Sequence, residues 1–226
     1  MIPAIFHHIW VGDKPLPEKA RRFIEGAKKL HPGFEFRLWT EETLSLDGNF
    51  VRAAYQKKAW AFVSDYWRFR ILSEHGGIYL DTDMEVLKPF APLLNGAGFA
   101  GLNRQADAIY CGVIGSAPGH PLMGNVIKAY DHLMDGEMPT SPQMLTRVYK
   151  LTKPENFIIY PYSYFYPIEE GEKPVSRHLH NAYAIHHWDE SWRKWVPLRR
   201  FLRRTGIMPL YHRFTRKINP PVTIKI

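Results

Sequence analysis

Two aspartates one residue apart, Asp81 and Asp83, follow the apolar run Ile78-Tyr79-Leu80 in the stretch GGIYLDTDMEVLKPF. Carboxylates this close repel each other, and one is driven toward its neutral form unless a cation lies between them. In an extended chain side chains alternate faces, so the pair points one way and Thr82 the other. The pattern suggests a divalent metal site where a strand ends. Asp is also common in turns after strands, and a bare Asp-x-Asp recurs by chance. The Gly76-Gly77 turn, the apolar run and the continuing MEVLKPF favour the metal reading.

Three other groups carry chemistry. In AWAFVSDYWRFRILSEHGG, Asp65 and Arg68 stand three apart and share one helical face. They are either a surface ion pair of little worth or a pair at a buried edge, placed to bind hydroxyls of a polar ligand. Trp60, Phe62, Val63, Tyr66, Trp67, Phe69, Ile71 and Leu72 around them leave this helix little polar surface. Trp10, in HHIWVG, is either a core residue or a platform on which a nucleotide base stacks. Near the C-terminus, AIHHWDESW offers His186, His187, Trp188, Ser191 and Trp192. A lone His is usually structural, but imidazole can complete a site begun by two carboxylates, above all for a borderline ion such as manganese. Adjacent histidines in a strand point opposite ways, so at most one of His186 and His187 faces the site.

These residues need elements to hold them. AIFHHIWVG reads as a first strand stopped by Gly12-Asp13, and LPEKARRFIEGAKKLHPG as an amphipathic helix ended by Pro32-Gly33. FEFRLWT alternates Phe34, Phe36 and Leu38 on one face, as a strand does. From about Phe50 to His75 the chain has no Gly or Pro and reads as one or two helices closed by Gly76-Gly77. Strands are expected at GFAGLN and AIYCGVIGS, and a helix after Pro121. A second helix is expected at SPQMLTRVYKL, with Ser141 as N-cap and Pro142 in the first position. FIIYPYSYFYPI and YAIHHW read as late aromatic strands. Strands alternating with helices predict an α/β sheet, whose ligands bind at the carboxyl ends of strands.

The 226 residues suffice for one sizeable core or two small domains. The net charge of +8 favours anionic partners. Most of that excess lies in the acid-free segment from Arg193 to Pro220. The single cysteine, Cys111, allows no intrachain disulfide and fits a reducing compartment. MIPAIFHHIWVG lacks the charged and apolar regions of a signal peptide, and no apolar run approaches the roughly 20 residues of a membrane span.

FVSDYWRFRILSEHGGIYLDTDMEVLKPF resembles the signature of the DXD-containing glycosyltransferases of family 32. IPAIFHHIWVGDKPLP is similar to that family's opening strand, LWTEE to its second-strand exit, and AIHHWDESW to its late His-x-Trp and Ser-Trp elements. SPQMLTRVY is similar to a segment that usually opens on Gly-Pro, where this chain has Ser141. The likeness covers roughly residues 1–195. It implies an α/β GT-A fold with a single mixed sheet flanked by helices, a nucleotide-sugar donor carrying UDP or GDP, Mn²⁺ or Mg²⁺, and retention of anomeric configuration. It implies Asp83 as the ligand of the ion on the diphosphate, Asp81 on hydroxyls and the metal shell, and His186 as the metal-side histidine. It places Asp65 and Arg68 on ribose and donor sugar, Trp10 under the base, and Ser191 and Trp192 among the donor contacts.

The expectation is therefore a metal-dependent sugar transferase in residues 1–195, acting on a glycan or lipid-linked acceptor. A metal-dependent phosphohydrolase or nucleotidyltransferase uses the same carboxylate pair and is the first alternative. Nucleic-acid binding fits the charge but not the acidic pair, and a silent binding module does not account for so full a set of site residues. Residues 196–226, following Trp195, mix Leu, Phe and Tyr with arginines at helical spacing. They read either as a helix packed on the domain or as an interfacial segment that places a cytoplasmic protein on the inner face of an anionic membrane.

Overall fold

Gly76 and Gly77 are the joint on which the fold turns. Gly76 ends a helix at φ 62°, its N–H donating to Leu72 O at 3.0 Å. At Gly77, φ 93°, a Cβ would lie 2.7 Å from Ile5 O and 2.8 Å from His7 Nε2. Only a residue without a side chain fits there.

The computed structural model describes residues 1–134 and 136–189. In order these form β1 (Ile5–Ile9), α1 (Glu18–Leu30), β2 (Glu35–Trp39), α2 (Asn49–Gln56), α3 (Trp60–His75), β3 (Gly77–Leu80) and β4 (Met84–Val86). Then follow β5 (Gly98–Leu102), β6 (Ile109–Ser116), α4 (Pro121–Asp131), α5 (Ser141–Thr152), β7 (Phe157–Tyr160), α6 (Ser176–Leu179) and β8 (Ala184–His186). Six strands form one mixed sheet in the order β2-β1-β3-β6-β5-β7. β1 is parallel to β2 and β3, and β5 to β7, while β6 is antiparallel to both neighbours. The expected α/β architecture with one principal mixed sheet is borne out. The addition is a two-stranded antiparallel ribbon, β4–β8, beside the main sheet.

Alternation along β3 feeds two cores. Tyr79 joins Val63, Phe69, Leu72, Ile114, Val126 and Leu145 under the helices α2 to α5. Ile78 and Leu80 join Phe6, Met84, Phe90, Phe99, Val113 and Phe165 on the other face. Each such side chain contributes about 1.5–3 kcal/mol by leaving water. Helix α3 has eight buried residues, Asp65 and Arg68 among them, and exposes the ion pair Arg70–Glu74 on its outer edge. Most of it is core, which is why Asp65 and Arg68 have little route to bulk water.

One local expectation is corrected. Ser141 is the first residue of α5, and Thr140 is its N-cap, closing a capping box with Gln143. The strand expected at FEFRLWT is borne out as β2; it is an edge strand, and Leu38 is 44% exposed. Among the described residues, no helix is long and apolar enough to cross a membrane.

Candidate active site

Asp81 and Asp83 do not lie on a strand. β3 ends at Leu80, and Asp81, Thr82 and Asp83 form a turn closed by Met84 N donating to Asp81 O at 3.1 Å. Strand alternation is therefore not what aims the two carboxylates together. The turn brings them round, and the β4–β8 register adds a third donor. Met84 pairs with His186, which sets the imidazole beside Asp83. One ligand atom each of Asp81, Asp83 and His186 lie within 4.8 Å of one another. Ligand atoms about 2.0–2.6 Å from a common ion lie at most about 4–5 Å apart, so the three are at the outer limit of reach for one divalent cation. Two carboxylates and an imidazole are a donor set for such an ion. Among the described residues the buried Nδ1 of His186 has no hydrogen-bond partner, while its Nε2 is 3.1 Å from Asp83 Oδ1.

The electrostatics centre on that contact. Burial disfavours charge on both groups, but each outweighs burial for the other. The His186 pKa is raised, and Asp83 is held below the usual carboxylate range by His186 and the Asp189 N–H. That N–H donates to Asp83 Oδ2 at 3.0 Å, and His187 N donates to Asp83 O at 3.0 Å. Of the two histidines only His186 faces the carboxylates. His187 Nε2 meets Glu85 Oε2 at 2.7 Å on the other side of the ribbon.

Behind Asp81 stands a buried relay. The Tyr79 hydroxyl donates to Asp81 Oδ1 at 2.6 Å. Burial, together with Asp81, raises the Tyr79 pKa well above its ordinary value, so the phenol stays a donor. Arg68 lies over the Tyr79 ring at 4.5 Å, donates Nη1 to Cys111 O at 2.8 Å and stands 3.6 Å from Asp81 Oδ1. Asp65 binds Arg68 Nη2 at 2.8 Å and accepts from Ser141 N at 3.0 Å and Ser141 Oγ at 2.5 Å. Burial pushes the Asp65 pKa up, against Arg68 and Ser141. The pair is thus buried, with Asp65 lying behind Arg68 and tying α3 to the start of α5. Asp81 Oδ2 faces Gly112, where a Cβ would approach it to 3.1 Å. Tyr79, Gly112 and Asp189 are not singled out by the sequence, which marks Ser141 only as a helix cap and a departure from Gly-Pro.

Trp10 is outside the core, partly exposed just past β1, with its Nε1–H donated to Lys14 O at 2.7 Å. Ser191, Trp192 and the segment 196–226 lie outside the described residues.

A mixed sheet with a carboxylate turn at the exit of a central parallel strand defines the GT-A class of α/β fold. Comparison with known proteins agrees. Residues 17–100 match the family model for the glycosyltransferase sugar-binding region containing a DXD motif. The uncharacterized glycosyltransferase L373 of Acanthamoeba polyphaga mimivirus is 35% identical over 139 residues, covering 57% of this chain and 55% of the relative. Inositol phosphoceramide mannosyltransferase 1 of Schizosaccharomyces pombe is 28% identical over 153 residues, covering 62% of this chain and 47% of the relative. Among solved structures, the PaToxG glycosyltransferase superposes with a TM-score of 0.58 at 18% identity, covering 67% of this chain and 70% of that one. The chain spans about half the length of the curated relatives it matches. The resemblance drawn from the central motif holds for residues 17–100, which match the DXD-type glycosyltransferase region, and the fold is one shared with GT-A glycosyltransferases.

Proposed function

We propose that the protein transfers a sugar from a UDP- or GDP-sugar to a glycan or lipid-linked acceptor, with retention, using Mn²⁺ or Mg²⁺. The observation that carries this is the convergence of Asp81, Asp83 and His186 where β3 leaves the sheet. Those three side chains would hold the ion, which when bound supplies Lewis-acid stabilisation of the diphosphate leaving group.

The other groups bind and orient. Arg68 offers fixed positive charge that costs no reorganisation during reaction, because Tyr79, Cys111 and Asp65 already hold it. Asp65 and Arg68 serve the donor's ribose and sugar, the first through its hold on the second. Trp10 is the platform for the base, and Ser191 and Trp192 complete the donor contacts. No enzymic nucleophile is assigned; the acceptor hydroxyl attacks on the face the diphosphate leaves. A lipid-linked acceptor is supported by the relatives named for inositol phosphoceramide and by the basic, aromatic segment 196–226. That segment would hold the protein on the inner face of the cytoplasmic membrane.

The test is to incubate the full chain with a panel of nucleotide sugars, with Mn²⁺ or with chelator. Nucleoside diphosphate release and the anomeric configuration of the product are followed by NMR. Metal-dependent release that accelerates with acceptor is expected. Release of inorganic phosphate or nucleoside monophosphate, indifferent to the sugar, would assign the protein to phosphohydrolases or nucleotidyltransferases instead.

A further inference from the structure

β1 and β2 are parallel and end together, Ile9 opposite Trp39. Ligands of open α/β sheets bind beyond such ends. The two exits here are tied to each other. Trp10 N donates to Trp39 O at 2.9 Å, and Gly12 N donates to the Glu41 carboxylate through Oε1. Gly12 has φ 108°, and a Cβ on it would lie 2.7 Å from Trp60 Nε1, so this turn is packed flat on the Trp60 indole. Between the turns lies a cavity of about 30 Å³ lined by Val11, Glu41, Leu44, Leu46, Tyr55 and Val63. It has room for the edge of a ring, not for a whole base. Its walls are apolar or aromatic apart from one charged group, Glu41, and Val11 follows directly on Trp10.

We infer that this notch is a nucleobase site that selects guanine, with Glu41 reading the base edge while Trp10 supplies the stacking face. The inference rests on the nucleotide-sugar reading above and chooses between its two donor classes. An ionised carboxylate only accepts hydrogen bonds. Guanine presents two adjacent donors on one edge, N1–H and the 2-amino group. Uracil presents one N–H between two carbonyl oxygens, which repel a carboxylate placed against that edge. Adenine has no N–H at position 1. One oxygen of Glu41 is held by the Gly12 N–H, so the other is aimed from a fixed anchor. Its partner is therefore a donor edge, and guanine has the matching one. Of the two charged residues of the second-strand exit LWTEE, Glu41 and Glu42, only Glu41 lines the notch.

Binding of GDP, UDP and IDP to the full chain in Mn²⁺, measured by titration calorimetry, tests this. GDP is expected to bind tighter than UDP by about tenfold or more, the lower end of what a hydrogen bond to a charged group gives at an exposed site. IDP, which lacks the 2-amino donor, falls between them. Glu41→Gln keeps an oxygen for Gly12 N–H and turns an amide toward the base. GDP binding then weakens while UDP binding holds, and the ratio collapses. Glu42→Gln, at the exposed neighbouring residue, leaves the ratio intact. UDP binding equal to or tighter than GDP in the wild type overturns the inference, as does an unchanged ratio or an equal loss of both nucleotides in Glu41→Gln. In those cases metal-dependent UDP binding would leave the donor reading standing. If no nucleoside diphosphate binds with metal, both fall together.

Discussion

The β4–β8 ribbon carries two histidine–carboxylate pairs one residue apart, built from the same groups. His186 meets Asp83 at 3.1 Å on the inner side, and His187 meets Glu85 at 2.7 Å on the outer. The outer contact is the shorter, so distance does not mark the site. What differs is the surroundings. The inner pair has Asp81 within ligand reach, Arg68 and Tyr79 behind it, and an imidazole nitrogen with no partner among the described residues. The outer pair is more exposed, its imidazole packs tilted against Phe23 at 4.6 Å, and it lies near Lys19. The one is a convergence of groups that could hold a cation; the other staples a strand to α1.

The largest expected effect of a single substitution comes from the support of the inner pair. Asp65→Ala leaves Arg68 buried without its partner, which costs about 3–5 kcal/mol. Urea unfolding measures it, and a loss below about 1 kcal/mol would mean that Arg68 finds water and that the inner region is no drier than the outer.

Acid sharpens the comparison with a second adjacent pair, His7 and His8 on β1. Burial lowers both from 6.5 to about 4. As pH falls, the unfolded chain takes up these protons first. Stability is thus full above pH 6.5 and is lost between 6.5 and about 4, by on the order of 3 kcal/mol for each ring. Denaturation at several pH values in that window follows it. A flat profile would place these rings in water.

Asp83→Asn keeps the volume and removes the charge. Metal-dependent nucleotide binding should fall at least about a hundredfold, beyond what removing a ligand's hydrogen-bond partner does. Circular dichroism should show the fold intact. Near-normal turnover in saturating Mn²⁺ would break the distinction between the two pairs. The smallest effect belongs to the outer pair: Glu85→Gln should cost under about 1 kcal/mol of stability and leave metal affinity unchanged. A loss of affinity equal to that of Asp83→Asn would make the two pairs one site.

Much of this was legible in the sequence because local rules and tertiary packing agree. Gly76-Gly77 ends α3 as a glycine cap should, and β1 and β6 stand where their apolar runs place them. The carboxylate pair announced itself by spacing, though for a reason that does not operate, since a turn rather than a strand aims it. The choice of His186 over His187 depends on pairing between the three-residue strands β4 and β8, too short for any period to show. The capping box at α5 was readable in Thr140-Ser141-Pro142-Gln143 as Thr-x-x-Gln. Taking Ser141 for the cap missed it, and with it the hold of Ser141 on Asp65. The exposure of Leu38 follows from β2 being an edge, which strand order decides and sequence alternation does not.

Two of the three clustered donors come from one turn, and the third from the far end of the described chain, across β8. Such a set exists only when the ribbon is paired, so an unfolded chain has no equivalent site. Folding and ion binding are then linked by mass action. At a free ion concentration about a hundred times the dissociation constant, the folded state gains about 2.7 kcal/mol over the unfolded one. Melting temperature becomes a titration curve, and a series of divalent cations can be ranked by heat alone, with no donor or acceptor in the tube.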